Sequence, residues 1–324
     1  MDIFKDKVIL LTGGTGSFGN KFTEIVLKHH EPEAIRIFSR GEKKQYDMNM
    51  KFNDDRLRFF IGDVRDKQRL HRAMTDVNIV VHAAALKQVP SCEYNPIEAV
   101  KTNIDGSINI IDTAIDNGVD RVMAISTDKA VHPINLYGAT KMTAEKLFIQ
   151  GNSYAGKVKT KFSCVRYGNV IGSRGSVIPL FLKQKKTGEL TLTDKEMTRF
   201  WIKLEDGVRF VINSIEKMQG GEIFVPKLPS MKLTDLADAI APDAKKKITG
   251  IRPGEKIHEI MITEDEARQT LEFDDFFIVK PEHPFWRKRE IKGGKKLTKN
   301  YRYSSEINDV WLTKNELMRI IKEL

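Results

Sequence analysis

Between Leu10 and Phe22 the chain reads LLTGGTGSFGNKF. An apolar run from Val8 to Gly14 leads into glycines at 13, 16 and 19, and apolar side chains then recur at helical spacing from Phe18 to His29. Strand, glycine turn, helix is the opening of a nucleotide-binding βαβ unit. A tight turn, a close approach of backbone to pyrophosphate and a close helix–strand contact each need a residue without Cβ. The unpaired N–H groups at the helix start can then face the anion. Gly13, Gly16 and Gly19, with Thr15, Ser17 and Phe18 in the same loop, are therefore candidate cofactor residues. The spacing G-x-x-G-x-x-G is weak alone; the strand before it and the helix after it give it weight.

Outward from this loop the same alternation continues. Strands are expected at Ala34 to Arg40, Leu57 to Asp63, Val77 to Ala84, Asp120 to Thr127 and Thr160 to Tyr167. Helical patterns separate them at Gln45 to Phe52, Lys67 to Thr75, Pro96 to Asn117 and Leu136 to Gly151. The fold class is α/β, a doubly wound parallel sheet with helices on both faces. The rhythm breaks after Tyr167. Residues 1–167 form the expected dinucleotide-binding domain, with 195–227 returning to it, and 168–324 form a smaller mixed α/β region over the sheet's carboxyl edge. A strand at Gly221 to Lys227 and helices at Leu233 to Ala241 and Thr313 to Leu324 are expected there.

The tip of the second strand selects the dinucleotide. An acid there would bind a ribose 2′-OH, whereas basic residues accommodate a 2′-phosphate. The sequence FSRGEKK offers Ser39, Arg40 and Lys43 and no acid directly at the tip, which favours NADP over NAD. Asp63 and Val64, after the third strand, lie where an adenine edge would sit.

Bulk composition narrows the class. With 324 residues, 40% hydrophobic and 30% charged, the chain has the make-up of a globular protein. No apolar stretch reaches the roughly 18 residues of a membrane span, and the N-terminus lacks a signal-peptide pattern. Cys92 and Cys164 are the two cysteines, too few for a disulfide framework, so a reducing, cytoplasmic setting is expected. The net charge of +10 is concentrated: Arg287 to Asn300 holds seven Lys or Arg against one Glu. This reads first as a solvated, Gly-containing loop, with contact to a partner subunit, a membrane surface or an anionic polymer as the alternative; no interleaved aromatics point to nucleic acid. His82, His132 and His258 lack ligand spacing; they read as structural, and no metal is expected.

The chemistry is expected in STDKAVHPINLYGATK, Ser126 to Lys141. Tyr137 and Lys141, four apart, share a helix face. A phenol is a poor base at neutral pH unless positive charge lies close. With a nicotinamide beside it, Tyr137 could take a proton from a sugar hydroxyl as hydride leaves the same carbon, while Lys141 holds the nicotinamide ribose.

Here the chain resembles the extended short-chain dehydrogenase/reductases, and within them the inverting UDP-N-acetylglucosamine 4,6-dehydratases. GGTGSFG, FSRGEKKQ, GDVRD, HAAALKQVP, STDKAVHPINLYGATK, RYGNVIGSRGSVIP, MTRFW and RPGEKIHE carry the resemblance across nearly the whole chain. It implies a Rossmann fold, a tightly bound NADP regenerated at each turnover, UDP-N-acetylglucosamine as substrate, and self-association through helices flanking the sheet, with Pro96 to Asn117 and Leu136 to Gly151 as the candidates. It also implies an order of events. Tyr137 and NADP+ oxidise C4, Lys129 removes the C5 proton, and Asp128 protonates the departing C6 hydroxyl. Hydride returns to C6, and C5 is reprotonated from the opposite face. Thr127 would hydrogen-bond near O4. Lys129 is a base only when neutral, and burial with neighbouring positive charge is expected to lower its pKa. Carried over likewise are Ala83, Ser126 and Val170 at the cofactor, Lys87 at both ligands, and Asn169, Val177, Arg199, Arg252 and Glu255 at the sugar nucleotide. Retention of Tyr137 resembles the pseudaminic-acid branch, while LKQVPSCE resembles the capsule branch. A 4-epimerase and a non-catalytic NADP-binding module are the alternatives; an epimerase needs no base for C5.

Overall fold

The computed structural model describes residues 2–172, 177–281 and 291–322. Its centre is one large sheet. Six parallel strands come from the first half: β1 (Val8–Thr12), β2 (Ala34–Ser39), β3 (Leu57–Ile61), β4 (Ile79–His82), β5 (Arg121–Ile125) and β6 (Lys161–Val165). β7 (Ile223–Pro226) joins parallel to β6, and β8 (Thr270–Glu272), β9 (Phe276–Val279) and β10 (Lys295–Lys296) extend the edge antiparallel. Among the described residues the order is 10-8-9-7-6-5-4-1-2-3. The order reverses at β1, next to β4, and the crevice at such a switch point is where doubly wound sheets bind ligands.

The parallel strands are apolar on both faces because helices cover both. All five residues of β1 and all four of β4 are buried. Helix Ser17–His29 buries Phe22, Ile25 and Val26 on one side and carries Lys28 in its last turn, a cation at the negative end of its dipole. Burying a side chain such as Phe22, wholly shielded here, contributes roughly 1.5–3 kcal/mol.

Two elements differ from the sequence-based reading. The stretch expected as one helix at 96–117 is divided into Pro96–Val100, a π turn at Lys101–Asp105, and Gly106–Asp116. The wide turn lets Asn103 bridge inward, accepting from Leu86 N (2.8 Å) and donating to Leu86 O (2.9 Å) and Thr140 Oγ1 (3.0 Å). The basic stretch from Arg287 lies partly outside the described residues. Its described part is not all loop, since Lys295 and Lys296 pair with Glu272 and Leu271 as an exposed edge strand. Lysines on an edge discourage further pairing.

Beyond Tyr167 the chain is more regular than expected. Of the 195–227 stretch, helix Leu204–Lys217 packs on helix Ser17–His29 and β7 enters the large sheet. Strand Thr198–Ile202 instead pairs with Asn169–Val170 and Ser230–Lys232 in a small second sheet. A separate apolar cluster of Ile178, Phe181, Leu190, Trp201, Leu236 and Leu317 sits beneath it. Cys92 and Cys164 are buried free thiols.

Candidate active site

A cleft of about 820 Å³ runs along the carboxyl ends of the parallel strands. Gly13, Thr15, Gly16, Ser17 and Phe18 form one wall, Ser39, Arg40, Asp63 and Val64 the far end, and Ala83, Lys87, Ser126, Asn169 and Val170 the floor. Thr127, Asp128, Lys129, Tyr137 and Lys141 line it as well. Topology makes this convergence: each group follows a different parallel strand or begins the helix after it.

The cleft suits a dinucleotide. Gly13 has φ +65°, and a Cβ there would sit 2.9 Å from Ala84 N, so both the turn and the neighbouring backbone exclude a side chain. Helix Ser17–His29 has no side-chain cap at Gly16 and no acid in its first turn, which leaves its N–H groups for an anion. Ser126 Oγ and Asn169 Oδ1, both from cleft-lining residues, are buried without a hydrogen-bond partner among the described residues. Such orphans call for a ligand or water.

Some expected residues stand elsewhere. Gly19 lies behind the loop, packed on Gly14. Lys43 turns outward to Asp47 (3.7 Å), and Lys44, which the sequence reading passed over, lines the cleft in its place. Val177, Arg199, Arg252 and Glu255 do not line it. Val177 packs on the second apolar cluster, and Arg252 is exposed. The Arg199 guanidinium is spent on backbone: it donates to Thr198 O (2.7 Å), Ile257 O (2.8 Å) and Lys256 O (2.8 Å), with Glu255 Oε1 at 3.9 Å. It therefore shapes the loop that carries Glu255 to Glu259. His82 and His258 bond to the threonine hydroxyls of Thr12 (2.8 Å) and Thr198 (2.9 Å).

The reactive end is set by two small elements. After β5 the chain makes a 3-10 turn, Asp128–Ala130, and at Asn135 it enters helix Leu136–Tyr154. Asn135 caps this helix, accepting from Gly138 N (2.7 Å), and donates to Gly254 O (2.7 Å). Gly138 lets the helix pass directly against the turn: a Cβ on it would lie 2.2 Å from Lys129 O. Thr127 Oγ1 donates to Asp128 Oδ1 (2.9 Å), and Lys141 Nζ donates to Ile125 O (2.7 Å).

Lys129 stands between two carboxylates. Its Nζ is 3.1 Å from Asp128 Oδ1 and 3.2 Å from Glu259 Oε1. Burial by itself would drive its pKa down, but Asp128 and then Glu259 outweigh burial and the repulsion of Arg199, and the amine is held above its ordinary value. This corrects the expected lowering: the charges closest to Lys129 are negative. Burial pushes Tyr137 up to about 12, against the opposing pull of Lys129. Burial also lowers Lys141. At rest the site thus holds an ammonium at Lys129 and a neutral phenol at Tyr137.

Glu259 escaped the sequence reading, which quoted RPGEKIHE and stopped at Arg252 and Glu255. A second acid in that motif, next to the apolar strand Ile260–Ile262, was the available signal.

The chain is similar to known proteins over nearly its whole length. Residues 9–281 match the family model described as "Polysaccharide biosynthesis protein". A protein of Campylobacter jejuni named UDP-N-acetylglucosamine 4,6-dehydratase (inverting) is 52% identical, over 98% of each chain. A Rickettsia rickettsii protein named UDP-glucose 4-epimerase is 45% identical over 86% of this chain and 84% of its own. The X-ray structure of Pen from Bacillus thuringiensis superposes with a TM-score of 0.92 at 38% identity, covering 99% of this chain and 98% of that one.

Proposed function

The chain belongs to the polysaccharide biosynthesis protein family and, within it, to the inverting UDP-N-acetylglucosamine 4,6-dehydratases, and from that premise we propose that it removes water across C5 and C6 of UDP-N-acetylglucosamine with NADP as its resident cofactor. The product is a 4-keto-6-deoxy sugar nucleotide inverted at C5, a precursor for pseudaminic acid or a related surface glycan. Ser39, Arg40 and Lys44 at the tip of β2 support NADP, since they offer a hydroxyl and two cations where a 2′-phosphate would lie. When bound, the nicotinamide would supply the redox chemistry, taking hydride from C4 and giving it back at C6.

The observation that most favours this reading is the Asp128–Lys129 pair in the cleft beside Tyr137. One proton crossing 3.1 Å from Lys129 Nζ to Asp128 Oδ1 turns the ion pair into a neutral amine and a protonated acid. Those are the forms elimination needs. Asp128 is 1% exposed and its Oδ2 has no partner, so the uncharged pair becomes less costly once substrate shuts out water. The amine then takes the C5 proton, the acid gives its proton to the C6 oxygen, and water departs. Elimination itself restores the resting ion pair. Tyr137 can accept the O4 proton only as the phenolate, the form that nearby positive charge favours and burial opposes.

Self-association is part of the proposal: Tyr94, Ile97, Ile108, Met142 and Tyr154 leave apolar surface exposed on the helices between residues 89 and 154. A cytoplasmic site of action suits two buried free thiols.

The test is incubation with UDP-N-acetylglucosamine in D2O without added cofactor, followed by NMR. Deuterium at an inverted C5 beside a C6 methyl supports the dehydratase. An unchanged C6 with C4 inverted would make the protein an epimerase, as the Rickettsia relative is named. Lys129→Ala is expected to keep NADP bound and to abolish dehydration; normal turnover would remove Lys129 as the base.

A further inference from the structure

The second carboxylate on Lys129 has no place in the chemistry above. Glu259 is 1% exposed and reaches Lys129 from the other region of the molecule, immediately before strand Ile260–Ile262. Its backbone N–H donates to Ser305 Oγ (2.9 Å), so its position is fixed from behind. Oε1 lies 3.2 Å from Lys129 Nζ and 3.8 Å from Arg199 Nε; Oε2 lies 3.7 Å from Lys256 Nζ and makes no hydrogen bond. Lys256 in turn donates to Val131 O, tying this loop to the turn that carries Lys129. Arg199 and Lys256 flank this buried carboxylate, which lies as close to the Lys129 amine as Asp128 does.

We propose that Glu259 is a positioning residue for Lys129, holding its amine in place between two carboxylates and retaining its proton until the hexose is bound. This rests on Lys129 being the C5 base. The groups facing the Lys129 amine are Asp128 on its own turn, Tyr137 on the following helix, Arg199 on strand Thr198–Ile202, and Lys256 and Glu259 on the loop before Ile260. Glu259 is the second negative charge among them. Its charge favours the ammonium, whose proton must pass to Asp128 before C5 can lose one, so it sets the pH at which the pair gives up that shared proton to solvent.

The experiment is the pH profile of kcat/KM for the holoenzyme carrying Glu259→Gln. The amide keeps the shape and removes the charge. The fall of activity at high pH, where the Asp128–Lys129 pair loses its shared proton, is expected to move to lower pH by about 1–3 units, the range for one opposite charge within a few ångströms. KM should change little, because Glu259 does not line the cleft. A profile that keeps its wild-type pH position and is only lowered at every pH means that Glu259 is merely structural, and overturns the proposal. Glu259→Asp covers the case in which the amide does not fold: it retains the charge, so its profile should keep the wild-type pH position with a lower kcat, and a shifted profile there would equally overturn the proposal. Lys129→Ala separates the two levels. Turnover in that variant defeats the base assignment itself, whereas an inactive Lys129→Ala with an unmoved Glu259→Gln profile defeats only the role of Glu259.

Discussion

Gly138→Ala should damage catalysis through backbone placement alone. The new Cβ would lie 2.2 Å from the carbonyl oxygen of Lys129 and 3.0 Å from Pro133 Cβ. Neither neighbour is a flexible side-chain end, and ordinary contact begins well above 3 Å, so helix and turn must part by about 1 Å. Overpacking of this kind costs about 1–3 kcal/mol of stability. The larger effect is chemical. Lys129 rides on the displaced carbonyl and Tyr137 on the displaced helix, so base and phenol separate, and a misplacement of about 1 Å can cost on the order of 100-fold in rate. Stopped NMR assays give kcat, thermal unfolding gives stability, and titration with NADP gives affinity. NADP affinity should hold, because the glycine loop lies across the cleft. Gly118→Ala is the control. Gly118 has φ +65° and no atom within 4 Å of a built Cβ, so it should cost about 1 kcal/mol of backbone strain and leave kcat alone. A Gly138→Ala enzyme with normal kcat would refute the claim that the turn and helix jointly set the reacting groups.

Arg40→Ala should lower the ratio of NADP to NAD affinity by roughly 10-fold or more, as expected for one lost charge-assisted hydrogen bond; calorimetry with both dinucleotides reads it, and an unchanged ratio would mean that Arg40 does not meet the 2′-phosphate. His82 is buried beside Lys141, and burial first, then that lysine, lowers its pKa to about 3. Its folded pKa is thus below the unfolded value. The unfolded chain takes up a proton that the fold refuses, so this contribution is intact above the ordinary pKa of 6.5 and declines as pH falls towards 3. Urea unfolding should show a loss of about 2 kcal/mol attributable to His82 between pH 7 and 5, and a His82→Asn variant with the same pH slope would rule that source out.

Much of the fold could be read from the first half of the chain because its signals are local. Glycine turns follow apolar runs, helices alternate with them, and a parallel sheet needs no information about distant partners to be recognised. Tyr137, Lys141, Asp128 and Lys129 were visible for the same reason, being close in sequence. What escaped depended on contacts between distant segments. The antiparallel edge of Thr270–Glu272, Phe276–Val279 and Lys295–Lys296 exists because these segments find β7 and one another. The π turn at Lys101–Asp105 accompanies contacts of Asn103 with Leu86 and Thr140. Spacing could not reveal that Arg199 is consumed by backbone carbonyls more than fifty residues away. Nor could it reveal that the charges nearest Lys129 are acidic, since Glu259 arrives from across the cleft.

Arg166 carries a wider implication. It lies at the end of β6, where the two regions were expected to part, and its buried guanidinium grips Glu145 on the helix after Tyr137 (2.7 Å), Glu266 in a short capped helix (2.9 Å) and the carbonyl of Met261 (2.7 Å). Severing the chain at that junction would strand buried charges on both fragments, a penalty on the order of several kcal/mol. Exchanging the region after Tyr167 as a cassette should therefore cost stability unless Glu145, Arg166 and Glu266 stay together. A redesign of specificity is better made one side chain at a time, with both halves kept as a single unit.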